Sequence, residues 1–145
     1  MLKFLLIVNK QGHLRLSKFW CHDKTVNKTV LASDVIRNCL CRDEKQCSFL
    51  DYKDFKIIYR RYATLYFLIG ADKDENELAV YEFIHNFVEV LNKYFKKVCE
   101  LDVMYGLERV HLILDEMVSD GEAIEMNQSF ALAPVQVLDA FGHRR

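Results

Sequence analysis

The sequence predicts an α/β chain of the α+β kind, with five strands and their flanking helices in one domain spanning residues 1–145. Three observations predict it. The stretch from Phe55 to Asp102 is a strand-rich apolar block that feeds directly into one long helical pattern. The chain opens on an apolar run followed by turn chemistry, which is the signature of a hairpin. Hydrophobic residues make up 51% of the chain and Pro134 is its only proline, so a long disordered tail is excluded and a continuous core is within reach.

In chain order, Met1 to Val8 is an apolar run of strand length, and Asn9-Lys10-Gln11-Gly12 supplies the turn before a partly alternating segment from His13 to Trp20. From Thr25 to Cys41, apolar residues recur at steps of three and four, with Thr25 or Asn27 available as a cap, so this segment is one amphipathic helix. Cys47 to Tyr52, Phe55 to Arg61 and Thr64 to Gly70 are short and rich in β-branched and aromatic residues, and they supply the remaining three strands. Tyr62-Ala63 carries no Gly, Asn or Pro. A turn is still required there, because the whole run exceeds an ordinary strand.

Asp72 to Asn76 is an acidic stretch suited to the positive end of a helix dipole, and the helix that follows runs to about Lys97. It carries two apolar stripes, Tyr81, Ile84, Val88, Leu91, Phe95 and Val80, Phe83, Phe87, Val90, Tyr94. Such a helix must be covered on most of its circumference. Core packing is expected for most of these side chains, with the ends near Val88 and Val98 as exceptions. A third helix is expected over Leu101 to Val118, with Gly121 as its stop and Gly106 costing about 1 kcal/mol relative to alanine inside it. The tail from Asn127 to Phe141 is weakly helical, with Pro134 starting or kinking it.

The 20 Lys and Arg against 21 Asp and Glu leave no global field for nucleic acid or an anionic membrane. No uninterrupted apolar run of about 18 residues exists, because Lys56, Arg60 and Arg61 break the best candidate. Any membrane contact is therefore expected through partners. The five cysteines lack the paired spacing of structural zinc sites and are expected as reduced thiols. The common nucleotide-binding, zinc-protease and serine-hydrolase motifs are absent, so no catalytic residue, metal or cofactor is expected.

Three constellations remain. His111 and Asp115 share a helix face, an arrangement far commoner as a solvated pair than as a metal site. Arg60 and Arg61 lie among Tyr59, Tyr62 and Tyr66, but strand alternation puts the two arginines on opposite faces, which rules out one nucleic-acid platform. Arg15, on the second strand with His13 and Ser17 on its face, is a candidate accessible cation.

The segments MLKFLLIVNKQGHLRLSKFW, CSFLDYKDFKIIYRRYATLYFLIG, ENELAVYEFIHNFVEVLNKYF, VCELDVMYGLERVHLILDEM and ALAPVQVLD resemble, in order and spacing, the small (sigma) subunit of heterotetrameric adaptor protein complexes. The resemblance covers Met1 to about Asp139. Within the family, VNKQG and LAPVQVLD look most like the fourth adaptor complex, a trans-Golgi coat that works without clathrin. KIIYRRYA and HNFVEVLN are also close to the plasma-membrane clathrin adaptor.

The resemblance implies a longin-like fold, a five-stranded antiparallel sheet sandwiched by helices. It implies two large adaptin chains and a medium (mu) chain as partners, no nucleic acid, and a cytoplasmic, peripheral location on trans-Golgi or endosomal membranes, with plasma-membrane coated pits as the alternative. It also implies binding of acidic dileucine signals, [DE]-x-x-x-L-[LI], in the cytosolic tails of membrane cargo. The leucine pockets would then be lined by Ala63, Leu65, Val88, Val98 and Val103, with Arg15 attracting the acidic residue and Lys97 near the signal's acidic end. Each buried leucine could contribute about 1.5–3 kcal/mol, much of it spent on ordering the tail, which leaves micromolar-scale affinity. Two positions depart from the family pattern: Lys97 stands where Asn is common, and Val103 replaces Leu or Ile. An alternative is a longin-type regulatory domain of a membrane-fusion or tethering factor, which is expected to continue into a heptad-patterned helix.

Overall fold

The computed structural model describes residues 1–20, 27–42, 48–123 and 127–142. Strands β1 (Leu2–Asn9), β2 (Leu14–Phe19), β3 (Phe49–Tyr52), β4 (Phe55–Tyr62) and β5 (Leu65–Asp72) form one antiparallel sheet in the order β2-β1-β5-β4-β3. Cys47, expected in a strand, and Thr25 and Val26, expected in a helix, lie outside the described residues. The turn demanded between β4 and β5 is Ala63-Thr64, and it exists without glycine because Ala63 itself takes a φ of 53°.

Side chains alternate across the sheet, so each strand serves two cores. Leu5, Ile7, Ile58, Leu65, Phe67 and Ile69 face one side. They join Val80, Ile84, Phe87 and Leu91 of α2 (Glu77–Phe95) and residues of the helices that follow it. Phe4, Leu6, Val8, Ile57, Tyr59 and Leu68 face the other side, against Ala32, Val35, Ile36 and Cys39 of α1 (Lys28–Leu40). Helices thus cover both faces, as expected.

α1 and α2 both start on asparagine caps. The Asn27 side chain accepts from Thr29 N (3.1 Å) and Val30 N (3.2 Å), and that of Asn76 from Leu78 N (2.9 Å) and Ala79 N (3.3 Å). Lys56 is 6% exposed in β4, and its ammonium donates to the carbonyls of Lys73 (3.0 Å) and Glu75 and to Glu77 Oε1 (3.3 Å). A charge within the sheet therefore ties down the connection into α2, consistent with the need of buried charges for partners.

The expected third helix is two. α3 (Glu100–Tyr105) stops at Gly106, and α4 (Leu107–Met117) starts after it. Gly106 sits at φ −107°, ψ 28°, where a Cβ would stand 2.8 Å from the Asp102 carbonyl oxygen and 3.0 Å from the Phe95 ring. Gly121 is not a helix stop. It turns a small hairpin of β6 (Val118–Ser119) and β7 (Glu122–Ala123) at φ +85°, with its carbonyl accepting from Leu2 N at 2.6 Å. Pro134 lies inside α5 (Gln128–Gly142) rather than starting it, and the helix begins after Asn127, whose side chain accepts from Phe130 N at 3.3 Å. α5 packs on α2 and α4.

Candidate functional site

Asn9 ends β1 and pairs with Leu65 at the start of β5. Its side-chain oxygen turns the first hairpin by accepting from Gln11 N (3.0 Å) and His13 N (2.8 Å), which lets a polar residue stay 4% exposed. Its amide then donates to Glu100 Oε1 at 2.9 Å, and the same oxygen accepts from Arg15 Nε at 2.7 Å. The two hydrogen bonds, that from Asn9 first and that from Arg15 second, hold the Glu100 carboxyl below the ordinary glutamate range.

Arg15 reaches Glu100 from a β-bulge. Ile7 opposes Leu16 and Val8 opposes Leu14, so Arg15 has no partner across the ladder. The bulge breaks the alternation expected to set Arg15 with His13 and Ser17. It leaves Leu14 41% exposed while Leu16 is 2% exposed. Beside it, Leu14, Arg15, Leu16, Ser17, Leu107 and His111 line an open depression of about 240 Å³. A larger depression of about 700 Å³ lies between β2 and α1 and holds none of the sequence-predicted site residues.

Over residues 1–141 the chain matches the family model of the clathrin adaptor complex small chain. The chain belongs to that family. This small chain is 55% identical over 139 residues to the human AP-4 complex subunit sigma-1, with 96% of each covered. It is 45% identical over 138 residues to the Arabidopsis thaliana AP-4 complex subunit sigma, covering 95% of this chain and 96% of that one. Human AP-1 complex subunit sigma-1A is 36% identical over 139 residues, so the similarity leans to the AP-4 side, as the tail motif implied. Among solved structures, a chain in a homology model of the full-length AP-3 complex in a stretched open conformation superposes with a TM-score of 0.73 at 32% identity, covering 99% of this chain and 96% of that one. The fold is the longin-like α+β arrangement of adaptor small chains, a family of vesicle-trafficking subunits rather than enzymes.

In this small chain the sequence-predicted leucine-pocket residues divide by burial. Leu65 is 1% exposed, Val88 1%, Val98 7% and Val103 0%, all in the core cluster on the α2 side of the sheet. Val88 and Val98 are therefore not the exceptions to core packing that the periodicity suggested. Ala63, on the β4–β5 turn, is exposed, as is Lys97. The segment carrying Lys97 and Val98 is held by Val98 N donating to Asn92 Oδ1 at 2.9 Å and by Cys99 N donating to Asp102 Oδ2 at 3.1 Å. The Asn9–Leu65 pair brings the strand end of this cluster next to the Arg15–Glu100 contact.

Sequence reasoning missed Asn9 and Glu100. The turn motif around Asn9 was visible, but its link to a residue 91 positions away was not.

The other constellations resolve into local contacts. Arg60 lies over the rings of Tyr62 (5.0 Å) and Tyr81 (4.2 Å), and Arg61 over that of Tyr66 (5.9 Å), so the arginines do occupy opposite faces. Asp115 pairs with Lys18 at 3.3 Å. Burial pushes the neighbouring His111 ring below the usual histidine range, opposed by Asp115 and reinforced by Lys18.

Proposed function

We propose that this chain is the small subunit of a coat adaptor of the AP-4 kind, acting as one longin-like domain. It helps stabilise a core formed with two large adaptins and a medium chain, and it contributes to reading acidic dileucine signals in the cytosolic tails of membrane cargo. It works in the cytoplasm, peripherally on trans-Golgi or endosomal membranes. No helix among the described residues is long and apolar enough to cross a membrane.

The observation that carries the reading is a cation, Arg15, held by Glu100 and through it by Asn9 beside Leu65, next to the sheet-face core that also contains Val88, Val98 and Val103. A signal of this kind presents the same two chemistries, a carboxylate followed by two aliphatic side chains. Because these pocket residues are nearly fully buried in the empty chain, leucine insertion requires a rearranged conformation, and part of the binding energy is spent populating it. The scaffold role is supported by apolar surface without cover in this chain: Phe130, Val137, Leu138 and Phe141 along α5, each between 43% and 65% exposed.

Reconstitution with the large-chain trunk tests the reading. Arg15→Ala removes the cation, and Ala63→Asp places a carboxylate at the rim on a residue type that accepts a left-handed φ. Each is expected to weaken capture of an acidic dileucine peptide while assembly continues. Unchanged capture in both variants means that the pocket lies elsewhere.

A further inference from the structure

We propose that Glu100 is a built-in stand-in for the acidic residue of the sorting signal: it holds Arg15 in the empty chain, is displaced when an acidic peptide binds, and so limits how much an acidic residue adds to a signal's affinity. The inference rests on the dileucine reading of the same site and adds a regulation to it.

The contact has the chemistry of the interaction it would imitate. One carboxylate oxygen of Glu100 takes the Arg15 Nε–H at 2.7 Å, a charge-assisted bond of the kind an incoming Asp or Glu would form. Both side chains are reachable from solvent, at 26% and 28% exposure, so another carboxylate can approach without unfolding anything. Ion pairs at such exposure are worth little, which makes exchange of one carboxylate for another nearly even in energy.

Asn9 completes the device. Its amide donates to the same Glu100 oxygen at 2.9 Å, and its own oxygen is fixed by two backbone N–H groups of the hairpin. When Arg15 turns to a peptide, Glu100 keeps a rigid donor and is not left as an unpaired carboxylate. Glu100 also opens α3, directly after Val98 and Cys99, so its release and the opening of the neighbouring apolar cluster involve the same short segment.

A neutral signal gains nothing by competing for Arg15, because it brings no carboxylate. The stand-in therefore lowers the affinity of signals that carry the acid and leaves neutral ones untouched, which narrows the advantage an acidic residue gives.

The test uses the assembled heterotetramer containing this chain, titrated by fluorescence anisotropy with three synthetic peptides. One has Glu four residues before Leu-Leu, one has Gln in place of that Glu, and one has Ser-Ser in place of the leucines. Glu100→Gln is expected to tighten binding of the acidic peptide by about two- to fivefold, the size of releasing one exposed pair, and to leave the Gln peptide unchanged. Glu100→Asp, which keeps the charge and shortens the reach, is expected to give a smaller gain. In an Arg15→Ala background, Glu100→Gln is expected to do nothing.

Unchanged or weaker binding of the acidic peptide by Glu100→Gln overturns the stand-in, weaker binding meaning that Glu100 orients Arg15 productively. An equal gain for the Gln peptide overturns it as well, since the effect would then be a general change of charge. If no protein distinguishes Leu-Leu from Ser-Ser, the dileucine reading itself fails and the stand-in falls with it.

Discussion

Phe4 and Gly70 face each other across β1 and β5, and the phenylalanine ring fills the space where a side chain at position 70 would begin: a Cβ there would stand 2.2 Å from the ring. The ring cannot easily yield, because it is 1% exposed and packed at 5.5 Å, edge to face, on Phe55. Gly70→Ala is expected to destabilise the chain by about 1–3 kcal/mol, the range for overpacking a well-filled core. Urea unfolding measures it, and Phe4→Leu added to Gly70→Ala should recover part of the loss.

Gly106→Ala should destabilise as well, against helix propensity. An alanine is favoured over glycine within a helix by about 1 kcal/mol. Here the added methyl meets a backbone carbonyl at 2.8 Å and the Phe95 ring at 3.0 Å. A fall in the urea midpoint supports the break between α3 and α4; a rise would mean that one continuous helix is accessible.

Ala63→Gly is expected to stabilise slightly, by about 0.5 kcal/mol. A left-handed φ costs a non-glycine residue about 1 kcal/mol or more, of which the greater unfolded-state freedom of glycine takes back part. Ala63 is at φ 53° and exposed, so no packing is lost. Differential scanning calorimetry of the two proteins decides the sign.

Much of the architecture was readable from residues 1 to 72, because period-two alternation and turn residues such as Asn9 and Gly12 act locally. The Ala63 turn was inferred only from length, since its conformation is imposed by the pairing of β4 with β5 and not by its residue type. β6 and β7 escaped notice because two residues carry no periodicity, and Gly121 serves a helix stop and a hairpin equally well. At the proposed site, the residue pattern marked Arg15 only as an accessible cation, and the aliphatic cluster came from the family resemblance. The Glu100 contact depends on a bulge and on residues 85 positions apart, which no local pattern records.

His111 makes stability depend on pH in a definite direction. Burial of its ring lowers its folded pKa, so the unfolded chain binds the proton more tightly. The associated stability is complete above the ordinary histidine value of about 6.5 and is lost as pH falls through that value towards the folded one. Thermal midpoints of the natural chain and His111→Asn should converge on acidification, with the difference largest near neutral pH.

Asp139 joins three helices. It accepts from the Tyr94 hydroxyl of α2 at 2.6 Å and from Arg109 Nε of α4 at 3.0 Å. Asp139→Ala is expected to loosen α5 by about 1 kcal/mol, given that Arg109 and Asp139 are about a third exposed. Hydrogen exchange should then speed up about fivefold along α5 and much less in β1 and β5.

Leu65, Val88, Val98 and Val103 are core residues before they are anything else. In the proposed signal site, altering them to suit a different cargo would cost foldability at once, so these positions are poor places for natural variation in preference. At the rim of that proposed site, Ala63 and Lys97 are in solvent and can change with less effect on the core. Differences among related small chains in what they select should accordingly concentrate in such peripheral side chains, while the aliphatic interior drifts only between residues of similar volume.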